Sequence, residues 1–266
     1  MSEACATGGG FVWLVGAGPG PADLLTLRAA RVLGEAQVVV HDRLVSREVL
    51  DLIPASAARI DVGKRRGDHR MAQHDINALL VQLAAIGQRV VRLKGGDPLV
   101  FARGGEEAQA LAQAGVDYDI VPGITAANAC AASARIPLTH RGVASGCTFI
   151  TGHGKDADLD HDWHALARSR ETLVVYMGLH ALARIAARLM AFGRSPDTPV
   201  AVIERGGSAQ QRVITAPLRS IAARTRVAGI ASPALLVIGE VVNLREVLQG
   251  VAPAPEISVS GPLAAA

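Results

Sequence analysis

Apolar residues along the chain fall into short unbroken runs that alternate with longer stretches in which they recur at helical spacing. Phe11–Val15 and Val38–His41 are of the first kind and predict strands, the second buried; Arg89–Lys94 also reads as a buried strand, and Arg59–Val62 and Tyr118–Val121 as further strands. Between them lie an amphipathic stretch from Asp23 to about Glu35, a short helix around Ser46–Leu52, and helices over Ala72–Ile86 and Glu106–Ala114. The Ala72–Ile86 helix carries Ile76, Leu79, Leu80, Leu83 and Ile86 on one face. Ile124–Ser133 is rich in small residues and reads as a further helix. Strand alternating with helix predicts a parallel α/β layer up to about residue 135. After a connector at Ile136–Gly142 the pattern changes. Strands are expected at Thr148–Thr151, Thr172–Tyr176, Val200–Glu204, Arg212–Thr215 and Leu235–Ile238. Helices are expected around Trp163–Arg168, Ala181–Phe192 and Leu218–Thr225. Fewer helices separate the last strands, so this half should be α/β with an antiparallel part. The expectation is two α/β domains, 11–135 and 143–249, with flexible tails at 1–10 and 250–266.

Composition narrows the function classes. Half of the 266 residues are hydrophobic, which is ample for two cores, whereas only 3% are aromatic, too few for a stacking platform on single-stranded nucleic acid. The basic residues are 24 Arg against 3 Lys, a bias compatible with a carboxylate-bearing ligand. Cys5, Cys130 and Cys147 fit neither a disulfide framework nor a CxxC metal site, so a reducing, cytoplasmic compartment is the natural setting. No signal peptide or membrane-spanning run is recognisable. His140, His153, His161 and His164 lack metal-ligand spacing, and no metal is expected.

The candidate chemistry gathers around Arg89–Glu107, RVVRLKGGDPLVFARGGEE. In an open α/β sheet, ligands bind at the carboxyl ends of the strands, which puts Gly95, Gly96 and Asp97 where a small molecule would sit. The same triplet also suits a glycine turn with Asp97 capping a helix. Gly16-Ala17-Gly18-Pro19-Gly20-Pro21 departs from GxGxxG, and its prolines lack the N–H groups that a pyrophosphate cradle needs, which argues against a dinucleotide. Asp42 and Lys64 each follow a strand; they suit a base and an acid, or an ion pair with each other. Arg43, Arg65, Arg66, Arg103 and Arg141 fall in loops and as a group would suit several carboxylates. Glu106 either orients Arg103 or is a first-turn acid. Met177 reads as core filler after its strand, and Gly206-Gly207-Ser208 as a turn or a second point of close backbone approach.

Taken together, VGAGPGPADLLTL, VVVHDRLVS, VGKR, RVVRLKGGDPLVFARGGEE, VPGITAANACAASARIPLTHRG, LVVYMGL, PVAVIERGGS and SPALLVIGEVV resemble the S-adenosylmethionine-dependent tetrapyrrole methyltransferases, in order, from about Phe11 to Val242. DRLVS, VGKR and PLTHRG are most similar to the uroporphyrinogen-III C-methyltransferases within that family. The resemblance implies two α/β domains with the cofactor in the interdomain cleft, and a homodimer. It implies S-adenosylmethionine contacts at Pro19, Gly95, Gly96, Asp97, Val100, Thr125, Ala126, Met177 and Gly206. It implies Asp42 as proton acceptor, Lys64 as proton donor, and Arg103, Glu106 and Arg141 in substrate handling, with Arg141 also a catalytic candidate; Arg43, from the loop arginines, is a further candidate for the substrate carboxylates. The implied reaction is double methylation of uroporphyrinogen III to precorrin-2, releasing two S-adenosylhomocysteine, without metal, nucleic acid or membrane. The alternatives are a later precorrin methyltransferase and a nucleoside-binding module without catalysis; Asp42, Lys64, Arg103 and Arg141 favour an enzyme.

Overall fold

The computed structural model describes residues 9–63, 71–153 and 160–250. The chain divides into two units, the first ending at Thr125 and the second beginning at Ala126.

The first unit is built on a sheet of five strands, β1 (Phe11–Gly16), β2 (Val38–His41), β3 (Ala58–Asp61), β4 (Arg89–Lys94) and β5 (Tyr118–Val121). Their order is β3-β2-β4-β1-β5 and every pairing is parallel. The helices of this unit are α1 (Leu27–Gly34), α2 (Arg47–Leu50), α3 (Gln73–Ala85) and α4 (Gly104–Gln113). Side chains alternate across a strand, so each inner strand feeds two cores. Val15, Val39, Val91 and Leu93 pack with Ala29 and Leu33 of α1 and Val49 of α2. Val12, Leu14, Val38, Val40 and Val90 pack with Ile76, Leu80 and Ala84 of α3 and Leu111 of α4. That two-sided burial explains why β1 and β2 read as nearly unbroken apolar runs, from which β4 departs only with charged residues.

Helix α1 starts later than Asp23 suggests. Ala22–Leu24 is a 3-10 turn, and the N-cap is Thr26, whose hydroxyl accepts from the Ala29 N–H at 3.1 Å. Ser46 caps α2 in the same way, accepting from Val49 N–H at 3.2 Å.

The second unit carries α5 (Ala126–Ala134), β6 (Cys147–Thr151), α6 (Trp163–Arg168), β7 (Thr172–Tyr176), α7 (Leu182–Ala191), β8 (Pro199–Glu204), β9 (Arg212–Pro217), α8 (Leu218–Val227), β10 (Ala234–Ile238) and α9 (Leu244–Gln249). Its sheet order is β6-β7-β10-β8-β9; only β6 and β7 are parallel, so the expected antiparallel part is present. Leu173, Val175, Val200, Val202, Leu236 and Ile238 pack against α6, α7 and α8 on one face. Tyr176 emerges on the other face, where its hydroxyl accepts from the Ala127 N–H at 3.1 Å and holds the first turn of α5. The 3-10 turn Glu240–Asn243 and α9 close the described chain and were not foreseen from the pattern.

Candidate active site

Three glycines bring the carboxyl ends of β4, β1 and β5 together. A methyl group on Gly16 would stand 2.5 Å from Gly123 N and 2.7 Å from Gly96 O; one on Gly123 would stand 2.7 Å from Gly16 Cα and closer still to Gly96 O. Only backbone on backbone fits there. Gly18 and Gly96, both in the left-handed region at φ +67° and +71°, exchange N–H···O bonds of 3.2 and 2.7 Å, which carries the Pro19 turn onto the end of β4. Ser46 Oγ donates to Gly20 O, and Glu48 accepts from Ala22 N–H at 3.3 Å, tying that turn to α2.

Asp97 fastens this corner. One oxygen accepts from Leu99 N–H at 2.8 Å and the other from Gly123 N–H at 3.1 Å. It therefore closes an Asx turn and links β4 to β5; it does not cap α4, whose N-cap is Arg103. Each carboxylate oxygen keeps a further lone pair for a ligand. Gly95, Gly96, Asp97 and Val100 are all half-buried at this edge.

Next to them, along the same strand ends, lies Asp42. Its side chain is 31% exposed, and Arg92 donates to it at 2.7 Å. Arg92 and Lys94 alternate on β4, so both project onto the face that carries Val90, toward α4. There they meet Glu107, fully buried, which accepts from Arg92 Nε at 3.0 Å and from Lys94 Nζ at 2.9 Å. Gln73 Nε2 adds a third bond to Glu107 at 3.2 Å, and Lys94 Nζ lies 3.9 Å from Asp42. Burial opposes the charge on Arg92, but Glu107 and Asp42 outweigh it and its pKa rises. Burial and the neighbouring Arg92 push the Lys94 pKa down despite Glu107. Sequence reading passed over Arg92, Lys94 and Glu107. The signal was two cations two residues apart inside an apolar strand, followed by an acid on the next helix.

Arg103 and Glu106 form a bidentate pair, with bonds of 2.8 and 2.7 Å. The pair is half-exposed and raises the Arg103 pKa. Both readings of Glu106 therefore hold: it is a first-turn acid of α4 and it orients Arg103. Arg103 itself sits at φ +62°, a conformation that costs a non-glycine residue about 1–3 kcal/mol and collects at functional sites. Arg43 is exposed. Lys64, Arg65 and Arg66 lie outside the described residues; Asp42 takes Arg92 as its close partner.

In the second unit, Ala126 opens α5, and Tyr176 ties the next residue to the end of β7. Met177, directly after β7, is 51% exposed at φ +54°, so it is not core filler. Gly206 presses on α5: a methyl group there would overlap Cys130 Sγ. Burial pushes the Cys130 thiol up to about 12, against a backbone bond from Gly206. Arg141 is exposed in the turn His140–Ala144, closed by His140 N–H to Ala144 O at 2.9 Å. Among the described residues no group of three or more His, Cys, Asp or Glu is placed to hold a metal. No helix there is long and apolar enough to cross a membrane.

Residues 12–222 match the family described as Tetrapyrrole (Corrin/Porphyrin) Methylases, and the chain belongs to that family. It is 54% identical over 240 residues to the siroheme synthase of Methylococcus capsulatus, which covers 90% of this chain and 51% of that one. The chain thus spans about half the length of the curated relatives it matches. Among solved structures it is 42% identical to the native form of uroporphyrin III C-methyl transferase from Thermus thermophilus, over 88% of this chain and 99% of that one, with a TM-score of 0.76. A second Thermus thermophilus structure of that enzyme, complexed with S-adenyl homocysteine, is 41% identical over the same shares, also at 0.76.

Proposed function

We propose that the chain is an S-adenosylmethionine-dependent C-methyltransferase that methylates uroporphyrinogen III twice, giving precorrin-2. The observation that carries the reading is the 42% identity to the Thermus enzyme over 99% of its length. Local chemistry agrees. Pro19 and Pro21 leave the first turn without the N–H groups a pyrophosphate requires, while a nucleoside without phosphates does not need them. Asp97, with lone pairs to spare, suits a hydroxyl or an ammonium group, and the close-packed glycines leave backbone edges for a flat ring. Pro19, Gly95, Gly96, Asp97, Val100 and Thr125 in the first unit, and Ala126, Met177 and Gly206 in the second, are the proposed cofactor contacts.

S-adenosylmethionine, when bound, supplies an electrophilic methyl group on a good sulfur leaving group. The electron-rich pyrrole carbon needs little activation, so the protein's part is positioning and charge control. Arg43, Arg103 and Arg141 are proposed to hold carboxylates of the macrocycle, with Arg103 pre-aligned by Glu106. Methylation makes the ring carbon quaternary, so the proton that restores neutrality must leave from another position of the macrocycle; Asp42, the exposed end of an otherwise buried charge network, is its proposed acceptor. Lys64 is the proposed proton donor. The setting proposed is a cytoplasmic homodimer with no metal.

The test is transfer of a labelled methyl group from S-adenosylmethionine, with uroporphyrinogen III and precorrin-2 offered separately under anaerobic conditions. Labelling of uroporphyrinogen III alone supports the reading. Labelling of precorrin-2 alone would move the chain to a later corrin-ring step, and no labelling of either would remove the enzyme reading.

A further inference from the structure

Four charged groups lie in one chain of contacts, and three of them are sealed from solvent. Glu107 is 0% exposed and Arg92 and Lys94 are 2% exposed, while only Asp42 reaches the surface. Two cations and two carboxylates balance. Burying such a network contributes little to stability compared with apolar packing, so its retention calls for another reason. Its geometry supplies one. Every bond that fixes Arg92 runs inward or along the strands: Nε to Glu107 at 3.0 Å, and one terminal nitrogen to Val40 O and Leu93 O at 3.4 Å each. The remaining nitrogen is thereby aimed at a single Asp42 oxygen, at 2.7 Å.

Lys94 is the complement. Its ammonium stands 2.9 Å from each Glu107 oxygen and is kept 3.9 Å from Asp42. Glu107 therefore holds one cation in alignment and holds the other away. We infer that Glu107 is a positioning residue that, through Arg92 and Lys94, fixes the Asp42 carboxylate with Oδ1 bound to Arg92 and Oδ2 left without a close cation, 3.9 Å from Lys94, to take a proton. The inference rests on the proposed role of Asp42 as proton acceptor. Without the Glu107 charge, Asp42 is the one carboxylate left to Lys94 among the described residues, and Lys94 draws it inward. Removing Lys94 as well takes away the competitor, and a glutamine at 107 still offers an oxygen to Arg92 Nε.

The experiment uses the full chain with S-adenosylmethionine and uroporphyrinogen III, reading kcat, KM and calorimetric S-adenosylhomocysteine affinity for four variants. Asp42→Ala should lose turnover. Glu107→Gln should lower kcat at least tenfold, with KM for S-adenosylmethionine and S-adenosylhomocysteine affinity within twofold of the parent. Glu107→Gln/Lys94→Met should return kcat to within threefold. Lys94→Met alone completes the cycle and should not show the Glu107→Gln loss. A purely structural Glu107 would give losses that add in the double variant. Parental kcat in Glu107→Gln, or a double variant no faster than Glu107→Gln, overturns the inference. If Glu107→Gln does not fold, the double variant against the parent decides: a tenfold loss overturns it. Full activity in Asp42→Ala would sink the proton-acceptor role and this inference with it. Loss in Asp42→Ala beside parental Glu107→Gln would sink the positioning role alone.

Discussion

Gly123→Ala should be among the most damaging single-methyl additions in the first unit, although it lies outside any helix or strand. The new Cβ would come within 2.7 Å of Gly16 Cα and 2.9 Å of Gly16 C, with Gly96 O nearer still. All three are backbone atoms of neighbouring strand ends, so no side chain can swing aside. Overpacking of a tight site costs about 1–3 kcal/mol, and a backbone-on-backbone clash belongs at the upper end. Alanine recovers about 0.4–1 kcal/mol by narrowing the unfolded ensemble. The net loss is about 2 kcal/mol, roughly 4–8 °C in Tm for a chain of this size. Gly105, in the first turn of α4, has nothing within 4 Å of its would-be Cβ. There the same substitution should stabilise by about 0.5–1 kcal/mol. Urea unfolding followed by circular dichroism, with thermal melts alongside, reads both. Gly123→Ala within about 0.5 kcal/mol of the parent, on the error scale of such comparisons, or Gly105→Ala as the more harmful change, would refute the packing argument.

Other outcomes follow from the same geometry. Gly206→Ala should destabilise the second unit through its clash with Cys130 Sγ, and Cys130→Ala should relieve most of that loss in the double variant; additive losses would refute the clash. Burial raises the Cys130 thiol to about 12 and, with help from Glu171, the Cys147 thiol to about 11, so both stay protonated at pH 8. Peptide-resolved alkylation should therefore be at least about tenfold slower for both in the native protein than in urea, since the thiolate is the reactive form; equal rates would contradict the burial. Arg103→Ala breaks a half-exposed ion pair and should change stability by no more than about 1 kcal/mol, while raising KM for the tetrapyrrole; a large drop in Tm would make the residue structural instead. Asp97→Ala leaves Leu99 and Gly123 N–H groups without their acceptor and should weaken S-adenosylhomocysteine binding by calorimetry; unchanged affinity would remove Asp97 from the cofactor site.

Much of the frame was legible because burial on both faces leaves unbroken apolar runs. β2, β5, β7 and α6 fall where the pattern alone puts them. Local signals misled where a competitor stood close by. Asp23 looks like a cap, but the 3-10 turn uses that segment and Thr26 takes the role three residues on. Helix α9 escaped notice because Pro- and Ala-rich sequence follows it and none of its residues is buried. At the site, single residues were legible and their partners were not. Asp97 is visible in GGDP, but its bond to Gly123 spans 26 residues. Asp42 is visible at a strand end, but its partner Arg92 lies 50 residues away, in a strand read as buried without a partner for its charges. The core-filler reading of Met177 failed because nothing in LVVYMGL announces its left-handed backbone.

The central claim is most directly tested by mass spectrometry of the tetrapyrrole after anaerobic incubation of the purified chain with uroporphyrinogen III and excess S-adenosylmethionine. The account predicts a product carrying two added methyl groups, with two S-adenosylhomocysteine released per macrocycle. Unmodified uroporphyrinogen III recovered from a chain that still binds S-adenosylhomocysteine would contradict it.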